Sequence, residues 1–313
     1  MDKTPGIVSS GPLLKKLPSF SSRGLAAAFV GGSLCVGSFI FATNTVALDW
    51  NKVLLQAKRN NAAVEPAPKL KTLLDKVTTD LKLSDSEKKS VKLFTSESDI
   101  CEVFGTVIFP HGALLGLPET ANAESVADIT LDIKWFFFQE DEKRPKKITE
   151  KIERLKEVSV LSDAAKQFVI AEGLVLARDY NHFTAPALCA SLCVLTSFVQ
   201  GSLFSLGASI KKHPQMKGPV YLASFIMWAC AGAFVSGKVK ELQLREDMGH
   251  LSKEYVDGGV EFYEKLQQQL QLKKDLCGEE IANFFGSYYL VEIVSKRLSN
   301  LRKLQSKFGF ESL

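Results

Sequence analysis

The chain has 313 residues, 46% of them hydrophobic and 24% charged. That exceeds the roughly 100–200 residues of a typical domain and excludes wholesale disorder. Its mean hydropathy of +0.04 is high for such a charged chain, so apolar and charged residues must be segregated along it. The formal net charge of +4 sits in two short segments, 1–23 and 211–218, each carrying +3, while 49–183 holds 20 basic and 22 acidic groups and 238–313 balances 12 against 12. No basic face remains for nucleic acid.

The first 23 residues are basic and rich in Ser, a composition that leans towards a mitochondrial address. A secretory reading would need residues 24–43 as its apolar core, which is long for that role, and no clean cleavage site follows. Leu25–Leu48 contains no charged residue, nor does Phe183–Ile210, nor Gly218–Gly237. A helix crossing the hydrocarbon core needs about 20 such residues. The expectation is therefore a multi-pass α-helical membrane protein with three spans, at 24–48, 183–210 and 218–237. The last two, joined by the basic loop 211–217, would form a hairpin. Gly31, Gly32 and Gly37 in the first run, and Ala190, Gly201, Gly232 and Gly237 in the others, would let helices approach closely. The positive-inside rule then places 1–23 and 211–217 on one side and the regions 49–182 and 238–313 on the other.

Between the runs, 66–94 reads as helix and connector, with Leu70, Leu73, Leu74, Val77 and Leu81 at helical spacing. VKLFTS (91–96), CEVFGTVIF (101–109) and ADITLDIKWFFF (127–138) are β-branched and aromatic and predict a small sheet. Residues 139–147 read as a charged loop, and 147–158 and 162–180 as helices, the second capped by Ser162. A long polar helix is expected over 238–272, and a final one near 287–308. The two outer regions should form one composite α+β extramembrane domain.

The chemistry-bearing residues are sparse. Of six cysteines, Cys35, Cys189, Cys193 and Cys230 lie in the charge-free runs, where Cys acts as a small hydrophobe. Cys189 and Cys193 have a spacing that could hold a soft metal, but packing is the simpler reading. Cys101 and Cys277 could pair, which sequence alone does not fix. His111, His182, His213 and His250 form no metal-ligand pattern, and there is no phosphate-binding loop and no nucleophile elbow. No enzyme activity, cofactor or metal is expected.

One string is distinctive, GGVEFYEKL at 258–266. Together with LSDAAKQFVIAEGLVLARDY (161–180) and GALLGLP (112–118), it closely resembles the transmembrane protein 177 family, in order over roughly 100–313. The resemblance implies a multi-pass protein of the mitochondrial inner membrane, N-terminus in the matrix and C-terminus in the intermembrane space. It implies a non-enzymatic, chaperone-like factor in cytochrome c oxidase assembly that stabilises newly made subunit II and its membrane chaperone. The partners expected are thus subunit II, its assembly chaperones and the lipid bilayer. Gly258, Gly259, Glu261, Phe262, Tyr263 and Glu264 are the candidates for a partner surface or for domain integrity. Phe262 and Leu266 should pack in the core, and Tyr263 and Glu261 should face outward.

The order of elements also resembles membrane-embedded zinc peptidases. Aligned that way, Glu172 takes the place of the catalytic Glu, with Ala171 and Val175 in the histidine positions. Asp257 takes the place of the Asp, with Lys253 where a third ligand would stand. CEVFGTVIF and GALLGLP would be the edge strand and turn before the helix. With all three ligands missing, zinc could not generate a nucleophile. The alternative function is therefore a pseudo-peptidase, a pseudoenzyme acting as a regulatory subunit of inner-membrane proteolysis.

Overall fold

A computed structural model describes residues 47–129, 146–178, 251–277 and 287–310, with isolated positions at 31, 35, 38, 42, 45, 191, 223, 226 and 227. The chain divides into two compact units, Met1–Phe39 with Ala185–Phe234, and Ile40–Thr184 with Val235–Leu313. Only isolated positions of the first are described; the second carries all the elements below.

The described residues form an α+β arrangement of seven helices and two small sheets. Helix α1 is Leu48–Leu55, and strands β1 (Lys58–Arg59) and β2 (Ala62–Ala63) follow as a hairpin. Its two-residue turn is Asn60-Asn61, both at positive φ (51° and 64°). Asn tolerates that region, and such a turn matches the right-handed twist of the strands.

Helix α2 (Pro68–Asp80) starts with Pro in its first turn, where no N–H is needed, and buries Leu70, Leu73 and Val77 at helical spacing. It ends in a Schellman motif: Leu83 N–H donates to the Thr78 carbonyl and Lys82 N–H to that of Thr79, with Lys82 at φ 53°. Helix α3 (Asp85–Ser90) opens with a reciprocal capping box between Ser84 and Glu87.

Strands β3 (Val91–Ser96), β4 (Glu102–Gly105) and β5 (Ala113–Pro118) make a sheet ordered β3-β5-β4, parallel between β3 and β5 and antiparallel between β5 and β4. The side-chain period of two sorts it into faces. Val91, Val103, Leu115 and Leu117 enter the main core, whereas Phe94 and Leu114 form a separate small cluster with Leu48 beneath α1. A Cβ on Gly116 would lie 2.5 Å from the Phe94 ring, so the central strand needs glycine to seat that aromatic.

Beyond two 3-10 turns, Glu119–Asn122 and Val126–Asp128, come α4 (Lys146–Ser159), α5 (Asp163–Arg178), α6 (Lys253–Cys277) and α7 (Ser287–Phe310). Every residue of α5 from Ala165 to Ala177 is buried, so it is the axis of the core. The sheet covers one side of it, where a Cβ on Gly173 would meet Cys101 Sγ at 2.7 Å and Leu115 at 3.3 Å. Helices α2 and α6 enclose the rest, and α7 packs on α6.

This corrects the expected fold. Among the described residues no helix is long and apolar enough to cross a membrane, which overturns the reading as a three-span, multi-pass transmembrane protein. The physical reason lies in the helices found. α6 and α7, with 25 and 24 residues, have the length but are interrupted by charge throughout. α5 is buried but has only 16 residues and carries Lys166 and Glu172. The charge-free runs 25–48, 183–210 and 218–237 lie outside the described residues apart from isolated positions and the start of α1.

The degenerate peptidase-like layout falls with it. GALLGLP is the central strand of the sheet, not a turn before the helix. The strand expected over 101–109 stops at Gly105, whose φ of +76° turns the chain out of the sheet. Residues 130–138 of the third expected strand, and 238–250 of the expected long helix, lie outside the described residues, while 126–128 is a 3-10 turn.

Candidate functional site

The distinctive string lies in α6, where that helix crosses α5. A Cβ on Gly258 would stand 2.3 Å from the Ala164 carbonyl oxygen, so two backbones touch there. A Cβ on Gly259 would meet the Phe168 ring at 2.5 Å. The two glycines lower α6 onto the first turns of α5, and the next residues fill the seam. Phe262 and Tyr263 are buried and pack on Phe168, with ring centroids 6.4 and 5.9 Å away and 5.0 Å between the two. Leu266 is buried beside them.

Tyr263 was expected to face outward; it is instead fully buried. Its hydroxyl donates to Glu172 Oε1 at 2.6 Å, and Arg297 Nη1 of α7 approaches the same oxygen at 2.6 Å and the Tyr263 oxygen at 2.9 Å. The Glu172 and Arg297 side chains are 3% and 11% exposed, so this ion pair is screened from water. Burial pushes the Tyr263 phenol well above its ordinary value of 10.0, with Arg297 opposing and Glu172 adding to the rise. Three helices thus converge on one carboxylate oxygen.

Glu261 is half-buried and clamps the α4–α5 connection. It accepts from the Ser162 N–H at 3.2 Å, from the Ser162 hydroxyl, and from Lys265 Nζ at 2.7 Å. Lys265 also donates to the Val160 carbonyl at 2.7 Å. Burial alone would raise the Glu261 carboxyl, but the hydrogen bonds from Lys265 and Ser162 outweigh it and hold the group below 4.5. Glu264 pairs with Arg302 of α7 at 2.8 Å. Arg302 also lines an open groove of about 460 Å³ between α6 and α7, together with Gln267, Ser295, Leu298, Ser299, Lys303 and Ser306.

The positions aligned with a peptidase do not assemble as such. Ala171 and Val175 are apolar core, Lys253 is exposed at the start of α6, and Asp257 accepts from Gln305 of α7 at 2.8 Å. Glu172 is committed to Tyr263 and Arg297. Among the described residues no group of three or more His, Cys, Asp or Glu is placed to hold a metal ion. Cys101 is buried with its Sγ 3.9 Å from the Glu102 carbonyl, while the Cys277 side chain and Cys189, Cys193 and Cys230 lie outside the described residues.

Sequence reasoning missed Arg297, though a signal existed. Val294, Arg297 and Leu301 share one helical face, and a cation on an otherwise apolar stripe implies a buried acidic partner. Glu172, alone in an apolar run, is its counterpart. No protein-family model, no curated protein and no solved structure matches this chain.

Proposed function

We propose that this protein is a non-enzymatic holding factor of the mitochondrial inner membrane. Its client is newly made cytochrome c oxidase subunit II, held together with that subunit's membrane chaperone. The reading rests on the resemblance carried by GGVEFYEKL and the segments 161–180 and 112–118. The observation that supports it best is how that string is used: its glycines and aromatics build the junction of α5, α6 and α7, and Glu264 pairs with Arg302, which lines the groove. The string is thus a structural seam beside an open polar groove. Serines and cations in that groove suit an extended acidic or hydroxyl-rich client segment.

The test is a pull-down of tagged protein from mitochondria whose own translation products have been pulse-labelled. Selective recovery of subunit II that fades during the chase is expected. Recovery of no labelled product, or of all products equally, overturns the client assignment. Ser299→Trp fills the groove from an exposed position and should cut recovery several-fold. Unchanged recovery would remove the groove as the contact while leaving the client in place.

A further inference from the structure

Residues 238–313 balance their charges overall, yet the basic groups are gathered on one helix. α7 carries Lys296, Arg297, Arg302, Lys303 and Lys307 against Glu292 alone. Arg297 is engaged inside the fold by Glu172, and Arg302 pairs with Glu264. Lys296, Lys303 and Lys307 are exposed, and no ion pair joins them to another described residue. They stand at i, i+7 and i+11, which is a single line along a helix. Lys303 belongs both to that line and to the lining of the groove between α6 and α7, so a row of cations runs along the groove.

The rest of the lining is rich in donors: the Ser295 and Ser299 hydroxyls, the Gln267 amide, and the N–H groups that Arg302 does not give to Glu264. The facing helix adds no opposing charge, since α6 has no acidic residue from Lys265 to Lys274. Two acids are near. Glu264 is engaged by Arg302, and Glu292, four residues before Lys296, offsets only that end of the row. Spacing then selects the kind of anion. At the helical rise, Lys296 and Lys303 are roughly 10.5 Å apart and Lys303 and Lys307 roughly 6 Å. A single phosphate meets one of these positions at a time. An extended peptide, whose side chains return to one face about every 6.5 Å, sets carboxylates against successive lysines. No aromatic side chain lines the groove, so it offers a nucleotide base nothing to stack on.

We propose that the groove between α6 and α7 binds an extended acidic peptide segment. Its carboxylates meet Lys296, Lys303 and Lys307 in turn, and Ser295 and Ser299 hydrogen-bond to its backbone. Glu264 tempers the site, because it holds on Arg302 the place that a bound carboxylate would otherwise take, and an incoming acid competes with it. The segment belongs to the client, a placement that rests on the holding-factor reading above.

The test is fluorescence anisotropy of the full chain with a fluorescein-tagged peptide of alternating Glu and Ser, and with its Gln-Ser counterpart as control. The acidic peptide should bind and the neutral one should not, and raising the ionic strength should weaken binding several-fold. Lys303→Glu with Lys307→Glu should abolish binding while circular dichroism stays unchanged. Glu264→Gln should tighten binding several-fold by releasing Arg302. No binding of the acidic peptide, or equal binding after the charge reversal, overturns the proposal. So does displacement of the peptide by phosphatidylglycerol vesicles or by oligo-uridylate at lower concentration than by unlabelled peptide, because the row then serves a lipid or a nucleic acid. Weaker binding by Glu264→Gln overturns the tempering role. Should the reversals unfold the chain, Lys303→Gln with Lys307→Gln removes the charges without inverting them and gives the same contrast. The assay contains no subunit II, so its failure leaves client capture to the pull-down, and a failed pull-down leaves the peptide result standing.

Discussion

Tyr263 and Arg297, from two different helices, donate to the same oxygen of Glu172 on a third. A buried carboxylate is costly unless every approach to it is satisfied, and here one phenol and one guanidinium share the task. Removing the cation alone leaves a buried anion. Arg297→Met should destabilise the protein by about 3–5 kcal/mol. Replacing both Glu172 and Arg297 by Met should cost less than the sum of the single changes, with a coupling of about 1–3 kcal/mol. Urea unfolding followed by circular dichroism measures all three variants. Strictly additive costs would show that the pair does not act as a unit.

The glycines of the seam differ in what a methyl group would strike. At Gly258 the obstacle is the Ala164 carbonyl, which moves only with its helix; at Gly259 it is the Phe168 ring. Both substitutions overpack the crossing, at about 1–3 kcal/mol each. Gly258→Ala should be the more damaging, because a ring can tilt where a backbone cannot. Thermal denaturation ranks them, and a milder loss for Gly258→Ala would mean that α5 and α6 slide apart easily.

These two effects show what sequence patterning could and could not reveal. VKLFTS is a strand with the boundaries its β-branched and aromatic content implied, and the helices over 146–159 and 287–310 lie within two residues of the predicted ends. ALLGLP was missed because Gly116 and Pro118 look like turn residues; Gly116 is there for the Phe94 ring, which belongs to a neighbouring strand. The hairpin at Asn60-Asn61 went unread although two adjacent Asn, which tolerate positive φ, are a local turn signal. Tyr263 was misplaced for a tertiary reason. α6 is covered by α5 on one side and α7 on another, so more of its circumference is buried than a single amphipathic stripe predicts. The charge-free runs misled at the level of architecture, since length and apolarity alone suggested spans that no described helix supplies.

Glu261 makes acid stability a test of the α4–α5 clamp. Its carboxyl is held below the ordinary 4.5 in the folded protein by Lys265 and Ser162, against the opposing pull of burial. A depressed folded value means that the stabilisation is fully present above the unfolded value and is lost as pH falls through the folded one. Wild type should therefore lose more stability than Glu261→Gln as the pH falls below the ordinary carboxylate value. Unfolding free energies across that range decide it, and parallel curves would mean that the carboxylate contributes no more than an amide.

Lys166 gives the complementary test at alkaline pH. Its ammonium group is almost wholly buried, donating to the Ala123 carbonyl at 2.7 Å with Glu124 4.0 Å away. Burial pushes it below its ordinary 10.5; Glu124, Asp163 and Asp128 oppose that shift and Lys69 reinforces it. The unfolded chain then binds more protons than the folded one in the window between the lowered value and 10.5. Stability must rise with pH through that window. Lys166→Met keeps the volume and removes the charge, at the cost of the bond to Ala123, so near neutral pH it should lie within about 1 kcal/mol of wild type. On raising the pH, wild type should gain stability and the Met variant should not share that gain. Lys69 is shifted upward by its own pairing with Asp163 and Glu124, but it is present in both proteins and its direct contribution cancels in their difference. Urea unfolding of the two from pH 7 upward measures the divergence, and curves that stay parallel would place the Lys166 amine in contact with water.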